Sequence, residues 1–289
     1  MATYDATVAS MWRYPVKSML GETVDAVVIG ERGLAGDRAY ALVDEETGFV
    51  VSAKNPRRWG RLFACRSEYL EPPAIGADPP PVRITLPDGT VLRSDDRDAN
   101  ATLTRVLGRA VRLEMHAPDT PIIEDQAPDT DDIPEDVRGQ VSNGQIALLA
   151  PPGTFFDCAA VHVMTTSSLA AASAAYPGGR FDPMRFRPNV LVDSGADGGF
   201  VENGWVGGPL RVGAEAELNM VMSTPRCVMT TLAQGDGDLP ADRGILATIV
   251  RENRFEIPGL GPNACLGVYG MVTTGGAVAV GDPVRVGAA

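Results

Sequence analysis

Hydrophobic and polar positions alternate along many short segments of the chain, and most of these segments end at residues that favour turns. An alternation with a period of two is typical of a β-strand with one buried face. The proline, aspartate and glycine at 87–89 form such a turn, because proline presets φ and glycine tolerates positive φ. The pattern predicts strands at 3–12, 23–29, 39–43, 48–52, 61–68, 82–86, 90–93, 110–115, 160–164, 187–193, 209–213, 216–222, 228–232, 246–250, 266–272 and 283–286.

Helical signals are confined to two stretches. Asp98 is a suitable N-cap for a helix over 98–107, and Gly108 is a suitable residue to end it. The hydroxyl-bearing residues at 165–168 begin a second predicted helix, which continues to about Ala175. Many strands with few helices predict a mostly β (α+β) fold, organised as a barrel or a sandwich.

The stretch 117–140 differs from its surroundings, because it is rich in aspartate, glutamate and proline and has little hydrophobic periodicity. Such a composition predicts an acidic surface loop or hinge, and it leaves disorder open. A docking surface is the functional alternative. Plain solvated chain is the preferred interpretation.

Composition narrows the classes of function. A hydrophobic content of 44% and a charged content of 21% are typical of a soluble globular protein. The net charge of -12 argues against nucleic-acid binding, which needs a basic face, and it favours docking to a basic partner. Residues 158–179 carry no charge but include hydroxyl groups and glycines, and the N-terminus lacks an apolar signal segment. We therefore expect a cytoplasmic protein without membrane contact.

The cysteines and histidines limit the metal sites that the chain can build. The four cysteines include no Cys-x-x-Cys pair, and two histidines cannot form a multi-histidine site, so a structural zinc site is not expected. His162 lies in an apolar segment and is interpreted as a core residue. Core packing is also the interpretation for Cys65, Cys158 and Cys265.

Cys227 has a more chemical setting than the other cysteines. Arg226 precedes it directly, and a nearby cation favours the thiolate, which is both a nucleophile and a soft metal ligand. On residue types alone, a buried hydrophobic cysteine is nevertheless the preferred interpretation. Asp236, Asp238 and Asp242 in the following polar loop are candidates for cation binding or for the substrate entrance, with a solvated loop preferred.

A sequence resemblance changes that balance. Residues 226–231 (Arg-Cys-Val-Met-Thr-Thr), followed by an acidic, glycine-rich turn, resemble the cysteine segment of the MOSC family, the molybdenum cofactor sulfurase C-terminal domain proteins. Within that family the chain is most similar to the branch that contains the mitochondrial amidoxime-reducing component and its bacterial relatives. Four further stretches match in the same order, at 14–18 (Tyr-Pro-Val-Lys-Ser), 33–38 (Gly-Leu-Ala-Gly-Asp-Arg), 186–190 (Phe-Arg-Pro-Asn-Val) and 280–284 (Val-Gly-Asp-Pro-Val).

The resemblance implies a domain organisation and a cofactor. It implies an N-terminal β-rich MOSC module at 1–116, an acidic linker at 117–150 and a MOSC β-barrel domain at 151–289. It also implies a molybdenum cofactor, in which a pterin dithiolene with a terminal phosphate holds the metal. Cys227 matches the thiolate that ligates molybdenum and is the implied catalytic residue. The implied cofactor-binding residues are Lys17, Ser18, Arg38, Thr165, Thr166, Ser167, Arg187, Asn189, Arg226 and Tyr269.

Each implied contact has a structural alternative. Lys17 is also typical of an exposed turn, and Arg38 of a surface ion pair with a neighbouring aspartate. The hydroxyls at 165–167 are typical of plain helix capping, which is compatible with anion binding at a helix N-terminus. Arg187 enters an apolar segment, so it needs a partner, and a nearby carboxylate would serve. Arg185 is the second choice for the role of Arg187.

The resemblance implies an enzyme that reduces N-hydroxylated or N-oxide small molecules by oxygen-atom abstraction. Electrons would come from a separate ferredoxin, flavoprotein or cytochrome b5 type of protein, because the chain lacks the cysteines of a ferredoxin-like domain. Two alternatives stay open. One is a sulfur carrier with a Cys227 persulfide, as in fused relatives that carry a pyridoxal-phosphate desulfurase module. The other is a cofactor-binding carrier without catalysis.

Overall fold

The computed structural model describes residues 6–130, 133–195, 198–235, 237 and 239–287. The first three positions of the strand predicted at 3–12 therefore lie outside the described residues, as do Asp236 and Asp238. The described chain is mostly β, with short helices, as the sequence predicts.

Strands and helices follow one another in this order. The strands are β1 (Ala6–Arg13), β2 (Glu22–Thr23), β3 (Ala26–Gly30), β4 (Gly33–Leu34), β5 (Ala41–Asp44), β6 (Arg66–Tyr69), β7 (Val82–Thr85), β8 (Val91–Arg93), β9 (Val111–Glu114), β10 (Ile122–Gln126), β11 (Val141–Gln145), β12 (Val161–Thr165), β13 (Val190–Asp193), β14 (Pro209–Val212), β15 (Ala216–Pro225), β16 (Arg254–Ile257), β17 (Gly261–Thr274), β18 (Gly276–Ala279) and β19 (Pro283–Val286). The α-helices are α1 (Pro56–Trp59), α2 (Ala99–Leu107), α3 (Thr166–Ala175), α4 (Pro183–Phe186) and α5 (Gly244–Glu252), and short 3-10 turns cover Gly60–Ala64, Val201–Trp205 and Val228–Thr231.

Seven of the described strands close into a β-barrel. Neighbours pair in the order β12-β13-β1-β19-β14-β15-β17, and β17 returns to pair with β12, which closes the ring. The pair β12–β13 is parallel and the other pairs are antiparallel. Closure leaves no open edge in the ring, so the alternating apolar side chains of every strand meet in one interior. That interior includes Val8, Met11, Val161, Leu218 and Val268.

The first half of the chain packs around a second core. The sheet β18-β3-β4 packs on the barrel core through Val27, Ile29 and Val278, whereas the sheets β6-β7-β8 and β5-β9 enclose the second core. Helix α2 covers them with Leu103 and Leu107, and Gly108 ends the helix in the left-handed conformation with φ 75, as predicted. The halves are interleaved, because β1 runs in the barrel and β18, from near the C-terminus, pairs with β3.

Two predicted strands are wrong. Residues 246–250 lie in α5, where Ile245, Leu246 and Ile249 form one buried face with helical spacing. A short run rich in β-branched residues does not distinguish a strand from a buried helix, which is why the strand prediction fails here. Residues 228–232 form a 3-10 turn directly after Cys227.

Three other predicted segments are partly different. Residues 48–52 make one isolated bridge, Val43 to Val50, rather than a full hairpin. Residues 61–68 begin as a 3-10 turn and become β6 only at Arg66. The acidic stretch 117–140 contains β10, which pairs with β11 in a two-stranded hairpin.

Among the described residues, no helix is both long enough and apolar enough to cross a bilayer.

Candidate functional site

A cavity lies where segments from both halves of the chain converge. The turn after β1 contributes Lys17 and Ser18, the stretch before β5 contributes Arg38, and the end of β15 leads to Arg226 and Cys227. The cavity has a volume of about 70 Å³ and opens to solvent. Further lining residues are Lys54, Asp157, His162, Arg185, Phe186, Arg187, Pro225, Met229, Thr230 and Tyr269. Seven of the residues implied by the resemblance thus line a single cavity.

Three of the lining residues have an uncommon backbone conformation. Ser18, Arg38 and Arg187 have φ of 65, 48 and 58, in the left-handed region that favours glycine. Backbone hydrogen bonds hold two of them, from Arg38 N to the Tyr14 carbonyl and from Arg187 N to the Pro183 carbonyl. Such conformations cost about 1–3 kcal/mol each and concentrate at functional sites. The backbone thus holds these side chains towards the cavity at an energetic cost.

Arg187 is a buried guanidinium with incomplete hydrogen bonding. Its Nη1 donates to the Met19 carbonyl at 2.7 Å, and its Cζ lies 4.2 Å from the ring centroid of Tyr14. Its Nη2 is buried and has no hydrogen-bond partner among the residues that the structure describes. Burial, together with the neighbouring charge of Arg38, lowers the pKa of Arg187 to about 10. An anion beside the free Nη2 would give this nitrogen a hydrogen-bond partner and would raise the pKa of Arg187 again.

Arg226 repeats this arrangement. Its Nη2 donates to the Phe186 carbonyl at 2.7 Å and its Nη1 to the Leu266 carbonyl at 3.2 Å, while its buried Nε has no partner. Nη1 also lies 3.4 Å from Nε2 of His162. Because Nε2 accepts from the guanidinium, the proton of His162 resides on Nδ1, which donates to the Arg187 carbonyl at 3.3 Å.

His162 is therefore a neutral core residue that connects the two arginines. Burial, and then the charge of Arg226, hold the pKa of His162 well below its usual range. Gly267 makes room for it: a Cβ at that position, where φ is 84, would lie 2.3 Å from His162 Nε2. The interpretation of His162 as a satisfied core histidine agrees with this geometry, but it missed the link to the site.

Lys17 is paired rather than exposed. Its Nζ donates to the Phe155 carbonyl at 2.8 Å and to Asp157 Oδ1 at 2.5 Å. Burial lowers the pKa of Lys17 despite this partner. Burial would raise the pKa of Asp157, but the charges of Lys17 and Lys54 outweigh it and hold that pKa far below its usual range. Lys17 is therefore already bound to a carboxylate.

Cys227 is half-buried and lies at the start of the 3-10 turn. Burial raises the pKa of its thiol, and Lys54 opposes this more strongly than Arg226 does. We expected Arg226 to keep the sulfur ionised. The charge of Arg226 does lower this pKa, but only as a smaller contribution. Its guanidinium donates to the backbone carbonyls of Phe186 and Leu266 rather than to the sulfur.

Lys54 is the cation that the sequence analysis missed. It lies within the cavity, 3.5 Å from Asp125 Oδ2. Burial lowers its pKa, but the negative charges of Asp157, Cys227 and Asp125 outweigh this and raise the pKa. The cluster has an excess of positive charge, since the described residues place six basic side chains on the cavity against three carboxylates. The basic side chains are Lys17, Arg38, Lys54, Arg185, Arg187 and Arg226. Asp157 lines the cavity with them, and Asp37 and Asp125 pair with Arg38 and Lys54.

Four of the implied residues do not line the cavity. Thr165 caps α3 by accepting from Ser168 N at 3.2 Å, and its hydroxyl donates to Glu202 Oε2 at 2.7 Å. The hydroxyls of Ser168 and Thr165 both bind this carboxylate, at 2.5 and 2.7 Å, so the chain's own Glu202 occupies the place beside the N-terminus of α3. Thr166 donates to Asp193 at 3.4 Å, and Ser167 bonds the Thr165 hydroxyl at 3.0 Å.

Asn189, the fourth, supports the cavity from outside. Its Nδ2 donates to Asp37 Oδ2 at 2.9 Å, and its Oδ1 accepts from His162 N at 3.0 Å. Asp37 in turn pairs with Arg38. The predicted ion pair of Arg38 is thus present, and Asn189 orients it.

The remaining candidates have structural partners. Arg185 donates to backbone carbonyls of Arg180, Thr230, Leu232 and Pro240 at 2.7 to 3.3 Å, which holds the wall behind Cys227. Ser18 Oγ accepts from Ala53 N at 3.1 Å, and the Tyr269 ring lies 5.5 Å from that of His162. Asp242 accepts from Gly244 N at 2.8 Å, before α5.

The protein alone does not form a metal cage here. In the part of the chain that the structure describes, no three His, Cys, Asp or Glu side chains come together as a metal site. A metal at the Cys227 sulfur would need its other ligands from an organic group. The surrounding guanidinium and ammonium groups suit an organic group that carries negative charge.

The sequence was compared with families of known proteins. The profile of the MOSC domain matches residues 150–285, and that of the MOSC N-terminal beta barrel domain matches residues 5–120. The mitochondrial amidoxime reducing component 2 of Rattus norvegicus is 26% identical over 290 residues, covering 96% of this chain and 82% of the relative. The human component 2 is 25% identical over 288 residues with the same coverage.

The solved structures include one that resembles the whole chain. The YUAD protein from Bacillus subtilis covers 96% of this chain and 93% of its own, with 12% identity and a TM-score of 0.43.

Proposed function

The chain belongs to the MOSC family, with a MOSC N-terminal barrel domain ahead of the MOSC domain, and from this premise we propose that it is a molybdenum-cofactor reductase of N-hydroxylated small molecules. Its curated relatives are named amidoxime reducing components. An amidoxime is an N-hydroxylated compound, so the names support this substrate class. The observation that carries the proposal is a cysteine sulfur that shares a cavity with buried cations whose hydrogen bonding is incomplete.

The free donors fit the anionic part of such a cofactor. Arg187 Nη2 and Arg226 Nε are both buried without a partner. Leaving a charged donor buried and unsatisfied costs several kcal/mol, because charged groups lose more hydration than neutral ones. A phosphate offers several acceptor oxygens to such donors.

Cys227 fits the metal end. A thiolate is a soft ligand, and metal coordination deprotonates a thiol even where burial raises its pKa, as it does here. Lys54 lies on the same side and stabilises the negative sulfur. When bound, the cofactor would supply the two-electron chemistry that removes an oxygen atom from the substrate.

The other residues would hold and orient the cofactor. Lys17, Ser18, Arg38 and Tyr269 line the cavity around Cys227, so we propose them as cofactor contacts. For Asn189 and for the hydroxyl residues at 165–167 we propose a supporting role, because their observed bonds fix the cavity wall and the capped helix.

Electrons would come from a separate donor protein of the ferredoxin, flavoprotein or cytochrome b5 type. The four cysteines support this, because they are scattered and two of them, Cys65 and Cys265, are buried in the core. They are not arranged to hold an iron–sulfur cluster through four thiolates.

The test is reduction of benzamidoxime by protein purified from cofactor-competent cells, with reduced methyl viologen as electron donor. An artificial donor separates the chemistry at the cavity from the unknown partner. We expect turnover by the wild type and by Cys158→Ser, and none by Cys227→Ser. Cofactor bound without turnover would favour a carrier instead. A persulfide on Cys227 after treatment with a cysteine desulfurase would favour the sulfur-carrier alternative.

A further inference from the structure

A second, larger cavity lies behind Arg38. Its volume is about 440 Å³, and Arg38 lines both this cavity and the one that contains Cys227. Three stretches form its walls, residues 31–39, 73–79 and 153–156, with Met115 and His116 at the edge. This volume lies within the range of about 300–1,000 Å³ that small-molecule sites occupy.

Side-chain hydrogen bonds from outside fix the walls of this second cavity. The Tyr69 hydroxyl donates to the Gly36 carbonyl at 2.8 Å, and the Tyr40 hydroxyl lies 3.2 Å from the Pro79 carbonyl. Arg32 Nη2 donates to the Gly153 carbonyl at 2.9 Å, which joins the first and third walls. The cavity is therefore largely preformed, which lowers the entropic cost of binding.

The first two walls meet at a glycine. Gly36 has φ 77, and a Cβ there would lie 2.6 Å from both Pro73 Cγ and Tyr69 Cε2. Any other residue would push the proline-containing wall outward. This contact sets the width of the cavity, which makes it a built feature rather than a gap between loops.

The lining of the cavity is mixed, with polar and apolar surface in similar amounts. Leu34, Phe155 and Phe156 are buried beneath that lining and support it from behind. The exposed apolar side chains lie at the opening, where Ile75 is 48% exposed and Met115 is 41% exposed. Covering apolar surface gains about 25 cal/mol per Å², so a flat apolar body that covers these two side chains would bind favourably.

The inner end of the cavity is cationic. Arg38 pairs with Asp37, but that carboxylate also accepts from Tyr14 N and from Asn189 Nδ2, so three donors share its charge. Behind Arg38 lies the excess of positive charge around Cys227. Glu31, Asp78 and Arg32 stand at the exposed rim, where water screens their charges. The charges favour one negative group at the inner end, whereas the rim, with two carboxylates and one guanidinium, does not favour a further negative group.

We propose that this cavity is a second ligand site, which binds a planar, apolar molecule that carries one acidic group. The acid pairs with Arg38, and the ring covers the exposed side chains of Ile75 and Met115. The site shares Arg38 with the first cavity, but it needs neither a bound cofactor nor a contact with Cys227.

The test is calorimetric titration of the full-length, cofactor-free protein with 2-naphthoate and with its neutral carboxamide. We expect one naphthoate per chain with a dissociation constant of about 1 mM or tighter for a ligand of this size. The carboxamide should bind about tenfold more weakly, because it lacks the charge-assisted bond to Arg38.

Matched variants locate the probe. Ile75→Glu places a negative charge at the opening and should weaken naphthoate binding about tenfold. Val91→Glu makes the same change at a residue that is 57% exposed and outside the cavity, so it should leave binding unchanged. Cys227→Ser should also bind naphthoate as the wild type does.

Four results would overturn the proposal. They are the absence of saturable binding, equal binding of the acid and the carboxamide, equal effects of Ile75→Glu and Val91→Glu, and loss of binding in Cys227→Ser, which would place the probe in the first cavity. Electron density for part of a bound cofactor in the second cavity would do the same. The benzamidoxime assay is independent of all of these outcomes.

Discussion

Replacing Arg187 by methionine should separate stability from anion binding. Arg187 is buried, one of its nitrogens is unpaired, and burial lowers its pKa to about 10. Methionine has a similar length but no charge. It would adopt the same left-handed backbone conformation at position 187, so the backbone strain is the same in both proteins.

The expected change in stability is small because opposing effects cancel. A fall in pKa from 12.5 to about 10 corresponds to about 3 kcal/mol of lost stabilisation of the charged form, which the methionine variant recovers. The variant loses the hydrogen bond to the Met19 carbonyl, worth about 2 kcal/mol for a charged donor, and the stacking on Tyr14, worth about 1 kcal/mol. The cofactor-free variant should therefore unfold within about 1 kcal/mol of the wild type.

Binding of an anion should respond quite differently. Losing a charge-assisted donor costs about 1.5–3 kcal/mol, which is a weakening of about tenfold or more. The assay pairs urea unfolding of cofactor-free protein with calorimetric titration of inorganic phosphate. Arg211→Met is the matched control, because that guanidinium is 69% exposed on β14 and pairs with Glu217.

Two outcomes would refute this reasoning. If Arg187→Met is strongly destabilised, the guanidinium is a structural residue whose charge the fold needs. If phosphate binds equally well to the wild type and to Arg187→Met, the unpaired nitrogen does not serve an anion.

Three further predictions concern residues around the site. Asp157→Asn should destabilise the protein by about 2 kcal/mol at pH 7, because Asp157 is 33% exposed and its pair with Lys17 is only partly shielded. Folding lowers the pKa of Asp157, so its carboxylate stabilises the folded protein above the unfolded-state pKa, and this stabilisation is lost as the pH falls. Urea unfolding should therefore give the wild type and Asp157→Asn similar unfolding free energies in acid. Burial raises the pKa of Glu202, so the wild-type protein loses stability as the pH rises and this buried carboxyl group ionises. Glu202→Gln should therefore be more stable than the wild type at pH 8, and the difference in unfolding free energy should shrink towards pH 4. A difference that does not change with pH would contradict this assignment. Gly267→Ala should lower the free energy of unfolding by about 3 kcal/mol or more, measured by thermal unfolding. Gly270→Ala is the control and should lose far less stability, because its Cβ would approach no atom closer than 3.3 Å. Equal losses of stability in the two variants would contradict the steric argument.

The barrel was predictable from sequence because its strands present a period-two pattern to a single interior. The first half of β15 shows this pattern, with Ala216, Leu218 and Met220 buried. Val8 and Met11 in β1 are three residues apart, and both face the interior because a bulge shifts the register between Val8 and Ser10. The pattern fails where a segment is short and rich in β-branched residues, as in α5, because such runs do not distinguish a buried helix from a strand.

The cavity was only partly predictable, for a different reason. The resemblance carried Lys17, Arg38, Arg187 and Cys227, which come from distant segments that only the fold brings together. Lys54 follows no recognisable motif, so only the coordinates place it beside the sulfur.

The helix prediction illustrates the same limit. The hydroxyls at 165–167 correctly indicated the start of a helix, and Thr165 caps it. Local sequence could not show that Glu202, far along the chain, supplies the carboxylate that the hydroxyls of Thr165 and Ser168 bind.

Molybdenum per chain is the measurement that tests the central claim most directly. The wild type and Cys227→Ser are expressed in cofactor-competent cells, and their metal is determined by mass spectrometry alongside circular dichroism. The account predicts close to one molybdenum per wild-type chain and a large loss in Cys227→Ser with an unchanged spectrum. Equal molybdenum in both proteins, or none in a well-folded wild type, would contradict it.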